Sequence, residues 1–310
     1  MTVLSFSLRR CAPAVLLAAF SVLPLAVTAQ TPDAPRLGQA GKDVMWLPSP
    51  DAAVDRMLQM AEVGPQDLVV DLGAGDGKIA IAAARQHGAR ALGLEYNPAL
   101  VTVAARRAQE AGVADRVAFR QADIFATDFS SATVVTMYLL PELNLRLRPT
   151  LFRMAPGTRV VSHSFDMGDW TPDESAVIGT AKVMAWKIPA HAAGEWEIQG
   201  AAAEGPNRLR LRQTRQRVDG DVSFGRVDAS LIAPRLSGDR LRFTARTAGG
   251  ALLHVDARIE GDRMTGTAAQ DTGARAPFTA VRRTPAPPIG GIEASDAEIQ
   301  RAHRVLDAAG

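Results

Sequence analysis

The chain has 310 residues, of which 47% are apolar and 22% are charged, which excludes an intrinsically disordered chain and a protein with many membrane spans. Its 35 lysines and arginines nearly balance its 33 aspartates and glutamates. The arginines are spread along the sequence, whereas a nucleic-acid-binding protein usually concentrates positive charge on one face, so we expect no nucleic-acid partner. A chain of this length can bury a large core, and we expect two domains after an N-terminal extension.

Residues 1–29 have the pattern of a secretory signal peptide. Arg9 and Arg10 precede an apolar run, 12–27, which is too short to cross a bilayer. The small side chains that follow match a cleavage site after Ala29. We therefore predict a protein that is exported to the periplasm and has no stable membrane span after cleavage.

Other interpretations of this segment stay open. An uncleaved signal would anchor the protein in the membrane, and a mis-assigned start codon would leave it in the cytoplasm. Arg9 and Arg10 also resemble a twin-arginine signal, which exports proteins that are already folded, although Leu8 and Cys11 fit that consensus poorly. Cleavage would remove Cys11, the single cysteine, and a cysteine-free mature chain suits export without requiring it.

Strands and helices alternate through the region 46–188, which follows a linker at 30–45 that is rich in proline and glycine. Apolar periodicity predicts helices at 51–63, 79–87, 98–111 and 143–154. Short apolar runs predict strands at 68–72, 91–94, 117–120, 133–138 and 159–163. This alternation predicts an α/β domain with a mostly parallel sheet and right-handed crossovers.

The periodicity changes to two after Trp170, which predicts antiparallel strands. The predicted strands are 182–186, 196–198, 209–213, 241–245, 253–259 and 278–281. Glycine-aspartate pairs at 220–221, 238–239 and 261–262 predict tight hairpin turns. We expect a smaller antiparallel all-β domain, a barrel or a sandwich, at 189–283. A linker and a short amphipathic helix complete the chain at 284–310, with Ser295 as the helix cap and Glu298 three residues later.

A glycine-rich turn, Asp71-Leu72-Gly73-Ala74-Gly75-Asp76-Gly77-Lys78, joins the first strand of the α/β domain to the next helix. Glycines at alternate positions let the backbone turn sharply and approach a ligand closely. The spacing differs from the Gly-x-Gly-x-x-Gly of dinucleotide sites, and Asp71 and Asp76 would repel a pyrophosphate. The same acids suit the ammonium and the sulfonium of S-adenosylmethionine, which favours that cofactor over NAD. An NAD-linked enzyme stays open as an alternative.

Two further acids follow the second and third strands. Glu95 can accept both ribose hydroxyls, as acids at this place do in nucleotide-binding folds. Asp123 can accept a hydrogen bond from the exocyclic amine of adenine, and Ile124 and Phe125 can pack against the adenine ring. Because the carboxyl ends of strands form the ligand-binding edge of an open α/β sheet, we expect these residues to meet the glycine turn in one cofactor site.

The strings D-L-G-A-G-D-G, E-Y-N-P and A-D-I-F resemble the motifs of the class I, or seven-β-strand, S-adenosylmethionine-dependent methyltransferases. The resemblance covers roughly residues 46–165 and implies a Rossmann-like seven-strand sheet with helices on both faces. It is strongest to the protein-lysine methyltransferase branch that includes the mitochondrial ATP synthase c-subunit lysine methyltransferase, which has a similar Leu-Pro-x-Pro approach. That likeness implies that Ser49 and Pro50 close over the cofactor. The signal peptide and the β-rich half depart from the branch.

The methyl acceptor is predicted to meet the ends of the fourth and fifth strands. Methyl transfer is an in-line displacement, so placement of the nucleophile and exclusion of water can supply most of the catalysis. Tyr138 can attract an amine through its ring or can be a core aromatic. His163 can accept a proton near neutral pH or can be structural. Asp166 and the pair Asp169-Trp170 are further candidates for the acceptor pocket.

The fourth strand ends without the Asn/Asp-Pro-Pro-aromatic string of amide and base N-methyltransferases, which argues against a DNA or glutamine acceptor. The other histidines show no metal-ligand spacing, so we expect no metal; they are His87, His191, His254 and His303. The sequence thus predicts a methyltransferase that acts on an amine, such as a protein lysine. The alternatives are a small-molecule O- or N-methyltransferase and an exported binding protein with a non-catalytic methyltransferase scaffold.

Overall fold

The structure is a computed structural model that describes residues 47–199, 207–271, 273 and 275–307. The predicted signal peptide at 1–29 and the linker at 30–45 lie outside the described residues. The domain limits 46–188, 189–283 and 284–310 stay predictions.

A seven-stranded sheet with the order β3-β2-β1-β4-β5-β7-β6 forms the first half of the described chain. Its strands are β1 (Leu68–Leu72), β2 (Arg90–Glu95), β3 (Val117–Gln121), β4 (Val134–Met137), β5 (Arg159–His163), β6 (Glu174–Ile178) and β7 (Ala181–Lys187). The first five strands are parallel, and β7 runs antiparallel to β5 and to β6. The predicted Rossmann-like, mostly parallel sheet is confirmed. Strand β6 was not predicted, because it lies at the edge of the sheet and its side chains are mostly exposed.

Helices cover both faces of this sheet. They are α1 (Asp51–Met60), α2 (Lys78–His87), α3 (Pro98–Glu110) and α4 (Pro141–Leu151). Successive residues of β1 point to opposite faces, so Val69 packs in one core with α1 and α2, while Val70 packs in a second core with α4. Local signals set the helix ends. Asn97 caps α3 by accepting from Ala99 N, and α2 ends at Gly88, which has a φ of 69°.

A nine-stranded antiparallel sheet with the order β11-β10-β9-β8-β16-β15-β14-β13-β12 follows. Its strands are β8 (Gly194–Gln199), β9 (Arg208–Thr214), β10 (Arg217–Phe224), β11 (Val227–Ser230), β12 (Ile232–Ser237), β13 (Arg240–Arg246), β14 (Leu252–Glu260), β15 (Arg263–Gln270) and β16 (Ala276–Arg282). The sheet curls until β10 contacts β12. Trp196, Leu241 and Phe278 are among the apolar side chains that fill its concave side as one core.

Two of the three predicted glycine-aspartate turns are confirmed and one is wrong. Gly238 and Gly261 have positive φ in the β12–β13 and β14–β15 hairpin turns. Gly220 instead lies inside β10, where a Cβ would come within 1.9 Å of the carbonyl oxygen of Arg210 on β9. The glycine is needed there for close strand approach, and the β9–β10 turn lies at 215–216.

Helix α5 (Asp296–Asp307) packs against α4, so the C-terminal end of the described chain returns to the seven-stranded sheet. Among the residues that the structure describes, no helix is long and apolar enough to cross a membrane. The described histidine and acidic side chains form no cluster that could hold a metal ion.

Candidate active site

The glycine-rich turn between β1 and α2 adopts a conformation that only glycine adopts easily. Gly73, Gly75 and Gly77 have φ values of 73°, 54° and 82°. The turn folds over the end of β2, because Gly73 N and Ala74 N both donate to the carbonyl oxygen of Leu94, at 2.9 and 3.0 Å. A Cβ at Gly77 would lie 2.4 Å from Phe119 Cζ. The sharp turn expected from the sequence is therefore present at the carboxyl edge of the sheet.

Asp71 is a buried acid whose side chain accepts a hydrogen bond from a neutral hydroxyl group. Its Oδ1 accepts from Thr136 Oγ1 at 2.8 Å, across the β1–β4 pair, and its exposed fraction is 2%. Burial, with a smaller contribution from the nearby charge of Glu95, raises the pKa of Asp71 to about 7 against the lowering effect of the Thr136 hydrogen bond. A carboxylate in this state would be stabilised by a cationic ligand, and shifted pKa values of this kind are common at functional sites.

Asp76, which was expected to face the same cation, binds Arg107 on α3 instead. Its carboxylate accepts a hydrogen bond from the Arg107 guanidinium, so its charge is already paired. This pairing anchors the glycine-rich turn to α3. Asp71 is therefore the better placed of the two acids to receive an ammonium group.

Glu95 and Asp123 lie where the sequence analysis placed them, at or just after the ends of β2 and β3. Glu95 accepts from Gly75 N at 2.9 Å and from Asn97 N at 2.8 Å, so it joins the glycine-rich turn to the start of α3. Each of its oxygens keeps a lone pair for a ribose hydroxyl. Asp123 Oδ1 accepts from Phe125 N at 2.9 Å, which shapes the turn that carries the half-buried Ile124.

Phe125 was expected to pack against adenine together with Ile124. Both side chains pack on the core between the sheet and α4. The guanidinium carbon of Arg146 lies 3.9 Å from the centre of the Phe125 ring. One face of this ring is thus engaged by a cation from α4.

Ser49, Tyr138 and His163 meet at the ends of β4 and β5. Ser49 Oγ lies 2.8 Å from His163 Nδ1, and both residues are buried. The ring centroid of Tyr138 lies 4.0 Å from that of His163 and 6.3 Å from that of Phe165, whose ring is nearly parallel to it. Lys78 fixes the segment before α1 by donating to the carbonyl oxygen of Ser49 at 2.7 Å. These contacts build an aromatic cluster near the glycine-rich turn, to which Lys78 connects it.

His163 has a shifted pKa, and the residue after it has an unusual backbone conformation. Burial lowers the pKa of His163 below 6.5, so the imidazole is neutral at pH 7. Ser164 has a φ of 65°, and Phe165 N donates to the carbonyl oxygen of His163 at 2.8 Å, which forms a tight three-residue γ-turn. Strained backbone of this kind is common beside functional groups.

The three remaining candidates for the acceptor pocket, Trp170, Asp169 and Asp166, have different surroundings. Trp170 does not line the pocket, since it is completely buried between Phe152 and Trp186. Asp169 forms an exposed ion pair with Arg301 on α5, at 2.7 Å. Asp166 is exposed after the γ-turn, and its carboxylate accepts from Gly168 N at 3.0 Å.

Sequence reasoning missed Thr136 and Lys78, which position the predicted site residues. Thr136 lies on β4, two positions before Tyr138, which directly follows the strand, so alternation places both on one face and periodicity could have identified Thr136. Lys78 directly follows the last glycine of the turn, but nothing in the sequence indicates that its amine reaches Ser49.

Comparisons with known proteins agree on a methyltransferase. The model of the ANTKMT methyltransferase domain family matches residues 71–174. A protein-lysine N-methyltransferase of Saccharolobus islandicus (strain REY15A) is 42% identical over 133 residues, which cover 42% of this chain and 83% of that protein. The ATP synthase c-subunit lysine N-methyltransferase of Rattus norvegicus is 32% identical over 148 residues, 47% of this chain and 67% of that protein.

Solved structures include a similar protein, an RNA methyltransferase from Salinibacter ruber in complex with S-adenosyl-L-homocysteine. It is 54% identical, and the match covers 46% of this chain and 95% of that chain with a TM-score of 0.46.

Proposed function

We propose that this chain, which belongs to the protein-lysine N-methyltransferase family, transfers a methyl group from S-adenosylmethionine to the ε-amino group of a lysine in a protein. The curated relatives support this acceptor by their names. The observation that carries the proposal is the cluster of Ser49, Tyr138 and His163 beside the glycine-rich turn.

The cofactor fits the residues of the site. S-adenosylmethionine supplies an electrophilic methyl group on a sulfonium, and the site offers a buried acid for its ammonium and a turn whose three glycines have no Cβ and allow close approach. We assign Asp71 to the ammonium, Glu95 to the ribose, and Asp123 with Ile124 to adenine. The backbone of Gly73, Gly75 and Gly77 would face the methionine end, and Asp76 would act through Arg107 by fixing the turn.

The acceptor pocket can prepare a lysine for attack. A lysine amine is protonated at pH 7 and must lose a proton before its lone pair can attack the methyl carbon. The Tyr138 ring can attract the incoming ammonium through its π face. When His163 Nδ1 donates to Ser49 Oγ, Nε2 has a free lone pair that can take this proton. Bound S-adenosylmethionine would supply the methyl group to the neutral amine and would leave as S-adenosylhomocysteine.

The acceptor can be identified with S-adenosylmethionine tritiated in its methyl group. The purified chain is incubated with separate periplasmic, membrane and cytosolic fractions, and labelled protein is hydrolysed to amino acids. We expect the label in methylated lysine, and we expect His163→Gln to label the same protein more slowly. Label in RNA, DNA or a small molecule, or no label in any fraction, would contradict the lysine proposal. The last result would favour a non-catalytic scaffold.

We also propose that the mature protein acts outside the cytoplasm. The support is the charged and apolar pattern of residues 1–29, with its cleavage site after Ala29. Expression of the full chain followed by cell fractionation and N-terminal sequencing tests this. A periplasmic protein that begins at Gln30 is expected, whereas a cytoplasmic protein that retains residues 1–29 would refute export.

A further inference from the structure

The segment after β5, residues 164–171, forms one wall of the proposed acceptor pocket, and we name it the acceptor loop. It begins with the γ-turn that follows His163 and carries Phe165, which stacks on Tyr138. Side chains from other elements bind many of its backbone groups. Asn144 Nδ2, from α4, donates to the carbonyl oxygens of Phe165 and Asp166, both at 3.1 Å. The loop therefore depends on its surroundings for its conformation.

The C-terminal helix binds the acceptor loop through Glu298. Glu298 Oε1 accepts from Asp169 N at 2.7 Å and from Arg148 Nη1 at 2.6 Å, and both members of this ion pair are buried. Arg148 also donates to the carbonyl oxygen of Met167 at 2.8 Å. Gly168 leaves room for this contact, since a Cβ there would lie 2.4 Å from Glu298 Oε1. A single buried carboxylate thus joins α4, α5 and the loop.

The nine-stranded sheet contacts the same loop through the β9–β10 turn. Arg215 Nη1 donates to the carbonyl oxygen of Asp169, and Arg215 Nε donates to that of Gly291, each at 2.7 Å. Gln216 Nε2 donates to the carbonyl oxygen of Thr171 at 2.6 Å. Arg215 has a φ of 54°, in a hairpin turn where glycine or asparagine would be less strained. An arginine therefore occupies a strained backbone position in this turn, and its guanidinium reaches the acceptor loop.

We propose that Arg215 and Glu298 are positioning residues of the methyl-acceptor site, which gives the C-terminal half of the chain a role in the reaction. They hold the acceptor loop so that Phe165 and His163 keep their places beside Tyr138. This inference rests on the proposed function, because it takes the pocket at Tyr138 and His163 as the acceptor site. The cofactor residues on β1 and β2 lie outside this set of contacts.

The test compares three variants of the full chain. Arg215→Met removes the guanidinium of the turn, and Glu298→Gln keeps the shape of the side chain but removes its charge. Arg212→Met is the matched control, since Arg212 lies on the same hairpin and forms an exposed ion pair with Asp219. Four properties are measured: hydrogen exchange of the loop amides, the His163 pKa by NMR, affinity for S-adenosylhomocysteine, and transfer kinetics with the protein fraction that the wild type labels.

We expect Arg215→Met and Glu298→Gln to speed exchange of amides 165–171 roughly tenfold, while amides of β1 and β4 keep their rates. The His163 pKa should rise toward its ordinary value as water reaches the ring. Affinity for S-adenosylhomocysteine should stay unchanged, and the acceptor KM should rise about fivefold or more. Arg212→Met should match the wild type in all four.

An unchanged His163 pKa and acceptor KM in both variants would overturn the positioning role. Equal acceleration of exchange in the loop and in β1 and β4 would overturn it too, since the contacts would then stabilise only the whole fold. A wild type that fails to bind S-adenosylhomocysteine would refute the proposed function instead. The exchange and pKa comparisons would still decide whether Arg215 and Glu298 hold the loop.

Discussion

The hydroxyl of Ser49 lies 2.8 Å from Nδ1 of His163, although 114 positions separate the two residues in the sequence. Ser49 precedes α1 and His163 ends β5, so the contact brings the entry segment over the carboxyl edge of the sheet. Lys78 holds the same segment from α2 through the Ser49 carbonyl oxygen and through Asp51, at 2.7 and 2.8 Å. The acceptor side of the site is therefore assembled from three separate parts of the chain.

Replacing His163 should remove the proton acceptor of the proposed reaction. His163→Gln should slow transfer by roughly 10²- to 10⁴-fold, the usual contribution of a general base. The wild-type rate should fall with decreasing pH below 6.5 as the imidazole is protonated, and this limb should disappear in the variant. Rates of tritium transfer across pH 5 to 9 measure both effects. A pH limb that survives in His163→Gln would rule the residue out as the base.

Asp71 should make stability and cofactor affinity depend on pH in opposite directions. Its pKa rises from 3.8 to about 7 on folding, so the folded state keeps a proton that the unfolded state releases between these values. The free energy of unfolding should therefore fall as pH rises from 4 to 7 in the absence of ligand. A bound ammonium favours the carboxylate, so affinity for S-adenosylhomocysteine should rise about tenfold per pH unit up to pH 7.

Asp71→Asn separates these effects from those of the neighbouring acid. Calorimetric titrations at pH 5, 6, 7 and 8 should show weak, nearly pH-independent binding in this variant. Asp76→Asn is the control, since Asp76 is paired with Arg107 and should keep the wild-type pH dependence. If Asp76→Asn flattened the profile and Asp71→Asn did not, the assignment of the ammonium site would be reversed.

Two glycines with similar backbones should differ in their tolerance of alanine. Gly77 and Gly112 have φ values of 82° and 69°, so an alanine costs about 1–2 kcal/mol at either position. Only at Gly77 does the new Cβ meet a neighbour, Phe119, and this overpacking adds about 1–3 kcal/mol. Urea unfolding of Gly77→Ala and Gly112→Ala measures the difference. Equal losses in the free energy of unfolding would show that the Phe119 side chain moves aside without an energetic penalty.

The buried ion pair of Arg148 and Glu298 should contribute strongly to stability. Arg148→Met leaves the buried Glu298 carboxylate with only the more distant guanidinium of Arg215, at 3.9 Å, which should lower the free energy of unfolding by about 3–5 kcal/mol. Arg258→Met removes an exposed arginine from its pair with Asp239 and should change stability little. Chemical denaturation compares the two variants. A loss at Arg148 no larger than that at Arg258 would contradict the account.

The fold of the first half was predictable because each element carries its own signal. Alternating runs predicted the parallel sheet, and Asn97 with Pro98 marked the start of α3. The strands of the second half were harder to predict from the sequence. Strands β10, β11, β12 and β15 contain glycine, charged residues or proline, and periodicity alone assigns these positions to turns or leaves them unassigned. Gly220 shows the cause. The sequence alone does not distinguish a glycine that is needed for the close approach of a neighbouring strand from a glycine that is needed in a turn.

The predictable part of the site is its local part. The glycine turn, Glu95 and Asp123 each stand in a short motif at a strand end. The contacts that decide how these residues are used join distant positions: Thr136 binds Asp71 from 65 residues away, and Arg148 binds Glu298 from 150. Periodicity and spacing carry no information about such pairs, so the pairing of Asp76 with Arg107 and the burial of Trp170 were found only in the structure.

The most direct test of the central claim is a calorimetric titration of the full chain with S-adenosylmethionine and with S-adenosylhomocysteine at pH 8. We expect saturable binding of one molecule of either ligand by the wild type and none by Gly75→Val, since Gly75 has a positive φ and its N–H is bound to Glu95. Absence of binding by the wild type, or undiminished binding by Gly75→Val, would contradict the assignment of the glycine-rich turn as the cofactor site.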